Sequence, residues 1–241
     1  MDLKTFTCRV LSENCYVLSE GDACVVVDPG FYSDEEFAQF LPLLGGKTPS
    51  AIFLTHGHFD HCMGVVRMLA KWPDLPVYMH PEEVISLKDD AEITVRLDLP
   101  GQRFDFPWKA VEDGATVSVG PAADGSAAAG DGLVFKAIHT PGHSPGGLCW
   151  YCDAAGLAFT GDTLFAGTIG RTDLAHADYD SIIRSIMEKL ILLPGATDVY
   201  PGHGWSSTIG REMRTNPFLE PFNEPAQDFD PDMPGVELHS L

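Results

Sequence analysis

The chain has 241 residues, with 35 Asp and Glu against 15 Lys and Arg, for a formal charge of −20 at pH 7. At 44% hydrophobic and 21% charged residues it has the composition of a globular protein, either one large domain or two small ones, and a disordered polyacid is excluded. So few basic residues argue against nucleic acid and against an anionic membrane surface as partners, because both are bound through clustered positive charge.

No apolar run approaches the ~20 residues that span a bilayer. The N-terminus, MDLKTFTCRVLSENCYVL, lacks a basic segment followed by an uninterrupted apolar stretch, so the expected compartment is the cytoplasm. Residues 5–10 and 14–18 read as strands around a turn at 11–13. Residues 23–27 form a β-branched run that stops at the turn signal Asp28-Pro29-Gly30. From Ser33 to Leu44 a helix is predicted: Ser33 caps it, Glu36 follows three residues later, and Phe37, Phe40, Leu41 and Leu44 share a face. Residues 51–54 are a short buried strand, 63–71 an amphipathic helix, 77–79 a strand and 81–87 a short helix.

Between 97 and 108 the pattern is irregular, with Phe104, Phe106 and Trp108 alternating. This is either core or a roof over a pocket, and the roof is slightly preferred. Residues 116–119 and 133–138 pair as a hairpin whose tip, PAADGSAAAGDG, carries no chemistry. A second hairpin joins 148–151 to 157–160 through a turn at 153–156. Residues 179–192 are predicted as the longest helix, and 199–200 close the strand set. Past Arg214 there is no Lys or Arg, and six acids fall in residues 215–241, so an acidic tail is expected there after a domain of residues 1–214. Strands and helices alternate, which places the chain in the α/β class. The six cysteines sit mostly in apolar runs and are expected to be buried. Cys149 and Cys152, although spaced as CxxC, are expected on opposite faces of one strand.

Four strand ends each deliver a metal-type ligand. AIFLTHGHFDHCMG carries His56, His58, Asp60 and His61, FKAIHTPGHSPGG carries His143, LAFTGDTLF carries Asp162 and DVYPGHG carries His203. Loops at the carboxyl ends of strands converge on a crevice in open α/β sheets, so these side chains can meet. Ligands at 56, 58 and 60 cannot share a helix face and fit a tight loop. Seven donors exceed what one tetrahedral ion takes, but two ions bridged by Asp162 use them all. Imidazole and carboxylate without thiolate suit zinc, iron or manganese, with zinc expected. His80, His139, His176 and His239 are assigned no role.

HGHFDH together with His143, Asp162 and His203 resembles the metallo-β-lactamase superfamily, over roughly residues 24–210. That resemblance implies a four-layer αβ/βα sandwich, with His56, His58 and His143 on one metal, Asp60, His61 and His203 on the other, and Asp162 bridging. Asp28 matches a structural position of the family. GDTLFAGTIGRTD, PGHG and NPFL are similar to the glyoxalase II branch in its shorter bacterial form. This implies hydrolysis of a small acyl thioester by a metal-bound hydroxide, with Asp60 as both ligand and orienting group. True β-lactamases usually carry Cys at position 162 and are exported. The longer glyoxalase II enzymes hold glutathione with a basic C-terminal lobe. Here nothing basic follows Arg214, Arg171-Thr172-Asp173 stands where those enzymes have a Lys followed by aromatics, and Trp205 stands where they have Tyr. Arg171 is a candidate for binding a substrate carboxylate, or a loop residue paired with Asp173 or Asp178. Alternatives are a persulfide dioxygenase with one iron on His56, His143 and Asp162, a lactonase on the same ligands, and a metal-free binding module.

Overall fold

The computed structural model describes residues 1–96, 105–120 and 132–222. Two six-stranded sheets face each other. The first runs in sequence order: β1 (Asp2–Thr7), β2 (Asn14–Glu20), β3 (Ala23–Val27), β4 (Ala51–Phe53), β5 (Val77–Met79) and β6 (Lys109–Ala110). The second contains β7 (Thr116–Val119), β8 (Leu133–His139), β9 (Leu148–Cys152) and β10 (Leu157–Gly161). A two-stranded ribbon, β11 (Leu164–Phe165) with β12 (Thr168–Ile169), follows β10. β13 (Asp198–Pro201) pairs parallel with β10, and β14 (Ser207–Thr208) closes the edge.

Side chains alternate across each strand, and that alternation sorts the apolar residues into three cores. Tyr16, Val25, Val27 and Phe53 point between the sheets and meet Phe135, Trp150 and Phe159. Val17, Val26 and Ile52 point outward under the helices α1 (Asp34–Phe40), α2 (Phe59–Cys62), α3 (Val65–Lys71) and α4 (Val84–Arg96). Ile138, Cys149 and Val199 form the outer face of the second sheet, under α5 (Tyr179–Glu188) and α6 (Ile209–Thr215). Helices, sheet, sheet and helices make the four-layer αβ/βα sandwich. Cys149 and Cys152 fall into different cores, and all six cysteines are free and buried.

Several elements depart from the sequence reading for local reasons. β1 ends at Thr7, because Leu11 and Ser12 adopt left-handed backbone and Cys8 N–H donates across the turn to the Glu13 carbonyl. The helix expected over 33–44 is α1 followed by a 3-10 turn at Leu41–Leu44, since Pro42 has no N–H to continue it. The helix expected over 63–71 begins only at Val65, because Met63 closes α2 and the Gly64 N–H is taken by the Pro29 carbonyl at 2.6 Å. Among the described residues the longest helix is α4, not the one at 179–192. No Gly or Pro interrupts residues 82–99, so the short helix expected at 81–87 runs on to Arg96.

Phe106 is buried in the outer core of the first sheet and Trp108 packs against the same cluster, so these two are core rather than roof. Phe104 and most of the expected hairpin tip lie outside the described residues. The packed fold also passes the expected boundary at 214: Asn216 and Leu219 are buried, and Leu219 belongs to the core under α5 and α6. Residues 223–241, which carry most of the acidic tail, lie outside the described residues. Among the described residues, no helix is long and apolar enough to cross a membrane.

Candidate metal centre

The ligand loop after β4 is held so that its side chains converge. Thr55 N–H donates to Asp28 Oδ1 at 2.7 Å and Phe59 N–H donates to Asp90 Oδ2 at 2.6 Å. His56 and His58 are left to face the crevice. Asp60 and His61 come from the first turn of α2, so Asp60 is helical rather than part of the loop expected for 56, 58 and 60; His143 comes from the loop after β8, Asp162 from the end of β10 and His203 from the end of β13. All seven residues predicted as ligands meet here. The donor atoms of His56, His58 and His143 lie within 4.8 Å of one another, and so do those of Asp60, His61 and His203. Asp162 stands between the two triads. Its Oδ1 is 3.5 Å from His61 Nε2, and its Oδ2 is 3.5 Å from His143 Nε2 and 3.6 Å from His203 Nε2.

Hydrogen bonds behind the imidazoles choose which nitrogen faces the crevice. His56 Nδ1 lies 3.0 Å from Thr55 Oγ1 and His61 Nδ1 lies 3.0 Å from Asp28 Oδ2. His143 Nδ1 reaches the Arg171 carbonyl at 2.9 Å and His203 Nδ1 the Leu11 carbonyl at 3.1 Å. Each of these rings donates backward and turns Nε2 forward. His58 instead presents Nδ1, 2.9 Å from His143 Nε2. Asp28 also accepts the Thr55 hydroxyl at 2.6 Å, so one carboxylate holds both His61 and the loop entrance.

The residues present fit divalent cations. His56 Nε2, His61 Nε2 and Asp162 Oδ1 are buried without a hydrogen-bond partner. Buried polar atoms are rarely left so, and these three all face the same space. A Cβ on Gly202 would sit directly against Asp162 Oδ1 and the His61 ring, so only glycine leaves this cradle open. The electrostatics agree. Burial, reinforced by the surrounding imidazoles, pushes His56 well below the usual histidine range, and burial with His143 brings His58 down to about 4. Burial opposes ionisation of Asp60, yet His61 and His203 hold it at about 2. Burial likewise opposes protonation of His61 and His203, but the Asp60 and Asp162 carboxylates outweigh it and raise both. The carboxylates thus favour positive charge in this space, which divalent cations would supply.

The centre opens into a cavity of about 500 Å³. Phe59, Phe165, Ile169 and Leu174 give it an apolar wall. Arg171 lines it too, but its guanidinium is held by Asp173 through bonds of 2.7 and 2.9 Å. His176, assigned no role from the sequence, also lines the cavity and pairs with Asp89 of α4 at 3.1 Å. Trp205 is exposed. Three buried acids near the ligands escaped the sequence reading. Asp90 and Glu83 reach the ligand loop from α4 and the turn before it. Glu13 lies within 4.8 Å of Asp28 and His61, its carboxyl pushed well above the usual range by burial. A helix carried beyond residue 87 would have pointed to Asp90. Glu13 and Glu83 have no signal in sequence.

A family model described as the metallo-beta-lactamase superfamily matches residues 8–203. The chain is 30% identical over 229 residues to the hydroxyacylglutathione hydrolase GloC of Haemophilus influenzae, covering 91% of this chain and 98% of that protein. Among solved structures, the B3 metallo-beta-lactamase BLEG-1 superposes with a TM-score of 0.77 at 35% identity, covering 90% of this chain and 99% of the other. TTHA1623, solved in a di-iron-bound form, superposes with a TM-score of 0.75 at 35% identity, covering 90% of this chain and all (100%) of the other.

Proposed function

The chain belongs to the metallo-β-lactamase superfamily, and from that premise we propose that it hydrolyses a small acyl thioester with two divalent cations, zinc first and iron or manganese compatible with the same donors. The observation that carries this reading is the pair of three-ligand clusters meeting at Asp162, with buried donor atoms of His56, His61 and Asp162 left unpaired among them. The similarity to GloC supports thioester as the substrate class. Bound cations supply Lewis acidity and bring the pKa of a coordinated water to ~7.

The chain's own residues do the rest. Asp60, held ionised and 3.3 Å from His203 Nε2, is an acceptor that orients the attacking water. The apolar wall of Phe59, Phe165, Ile169 and Leu174 receives the acyl group and excludes water from it. A thiolate leaves without a protonating acid, because its own pKa lies near 8.5. Arg171, once released from Asp173, offers a fork for a carboxylate on the acyl group. A single-iron dioxygenase on His56, His143 and Asp162 leaves the second cluster of Asp60, His61 and His203 without work, which favours the hydrolase.

The test is metal analysis with turnover on thioesters, lactones, persulfides and β-lactams. Two metals per chain and oxygen-independent thioester cleavage are expected. One iron with oxygen uptake on persulfides refutes the proposal. His58→Ala or Asp162→Ala should abolish turnover and lower bound metal, and wild-type activity in either pure variant sinks the scheme.

A further inference from the structure

Glu83 is fully buried at the end of the 3-10 turn Pro81–Glu83, just before α4, and it belongs to neither ligand cluster. Its two carboxylate oxygens reach in two directions. Oε2 accepts the N–H of Gly57 at 2.7 Å, and Oε1 accepts the N–H of Gly146 at 2.6 Å. Gly57 lies between His56 and His58, and Gly146 lies three residues after His143. One side chain therefore ties together the two loops that carry all three ligands of the first cluster.

The contact is built from both sides. A Cβ on Gly57 would come within 2.9 Å of the Glu83 carbonyl and 3.0 Å of Oε2. A Cβ on Gly146 would come within 2.8 Å of His80 Nδ1 and 2.9 Å of the Glu83 amide nitrogen. Neither loop could approach this closely with a side chain in place. The second cluster is held by other groups: Asp28 behind His61, the Leu11 carbonyl behind His203, and Asp90 under Phe59.

We infer that Glu83 is a positioning residue for the first metal subsite: by clamping Gly57 and Gly146 it sets the separation of His56 and His58 from His143. The inference rests on the metal-centre reading above. Its physical basis is geometric. His56 and His58 reach the subsite from one loop and His143 from another. At their base Leu148 N–H donates to the Thr55 carbonyl at 2.7 Å, and Glu83 is the side chain that spans the two loops beside His58 and His143. A carboxylate spans them with two charge-assisted hydrogen bonds to N–H groups that would otherwise be buried and unpaired. A glutamine of the same shape offers only one oxygen and turns its NH₂ toward the other N–H, which opens the clamp without creating a cavity.

The test isolates each subsite. In a His203→Ala background the ion is held by the first cluster; in a His58→Ala background it is held by the second. Zinc affinity is read by competition with a chelator in each background, with and without Glu83→Gln. The expected result is a loss of roughly 10- to 100-fold, as for other groups that orient metal ligands, in the His203→Ala background and less than about twofold in the other. Gly146→Ala, which enters the clamp from the opposite loop, is the second variant should Glu83→Gln fail to fold, and the same selectivity is expected of it. Equal losses in both backgrounds, which a general packing role would give, overturn the inference, as does no loss in either. If the His203→Ala parent itself binds no zinc, the metal-centre reading fails and the role of Glu83 falls with it.

Discussion

Asp90→Asn should stabilise the metal-free protein relative to wild type increasingly as pH rises. Asp90 is buried in α4, where it accepts the Phe59 N–H at 2.6 Å. Burial pushes its carboxyl up to about 7. The Phe59 N–H opposes that rise, while Asp60, Asp89 and Glu83 add to it. In the unfolded chain the same group titrates near 3.9. The folded metal-free protein thus binds the extra proton, and the stability this contributes is lost as pH rises toward 7. At about 1.4 kcal/mol per pH unit, the interval from pH 5 to 7 corresponds to at most ~3 kcal/mol, and partial solvent screening reduces this to roughly 1–2 kcal/mol. Asparagine keeps an oxygen for Phe59 N–H but carries no charge at any pH. The variant should therefore gain roughly 1–2 kcal/mol relative to wild type between pH 5 and pH 8. The assay is urea unfolding of both metal-free proteins at the two pH values. A stability difference that is the same at both refutes the reasoning.

Other perturbations probe different layers. Asp28→Ala removes the acceptor behind His61 and Thr55 and should weaken metal binding by about 10- to 100-fold, read by chelator competition. Trp150→Ala takes away a fully buried ring that stacks on Phe53 at 4.1 Å and donates to the Leu54 carbonyl, and should cost about 3–5 kcal/mol in denaturant unfolding. Arg171→Ala should raise KM several-fold for thioesters with an acyl carboxylate and leave uncharged ones unchanged; equal effects on both would remove Arg171 from the substrate site.

The candidate metal ligands were legible because the chain concentrates them. Four of seven fall within six residues, and the others follow strands at glycine-rich turns, so ligand chemistry and strand ends pointed to the same place. The fold followed from the family those residues resemble and from the strand–helix alternation. What escaped the sequence was whatever depends on three-dimensional proximity alone. Glu83 looks like any acid at a helix start, and only the folded chain shows its oxygens on two distant glycines. Phe106 and Trp108 carry an alternating pattern that says one face is buried but not against which neighbours. The boundary placed at 214 followed the charge pattern, whereas Asn216 and Leu219 are retained by burial.

Under the proposed thioester hydrolysis, the six cysteines bear on how the protein would coexist with a thiol product. All are buried and unpaired, and burial raises every one of their thiols above the ordinary value, Cys149 to about 11. Thiol–disulfide exchange proceeds through an accessible thiolate, and none of these groups offers one. A catalyst that liberates thiols at each turnover would meet them, and their oxidised dimers, at high local concentration. This chain presents no sulfur with which they can form a mixed disulfide, so its cysteines are shielded from the redox state of the thiol pool around it.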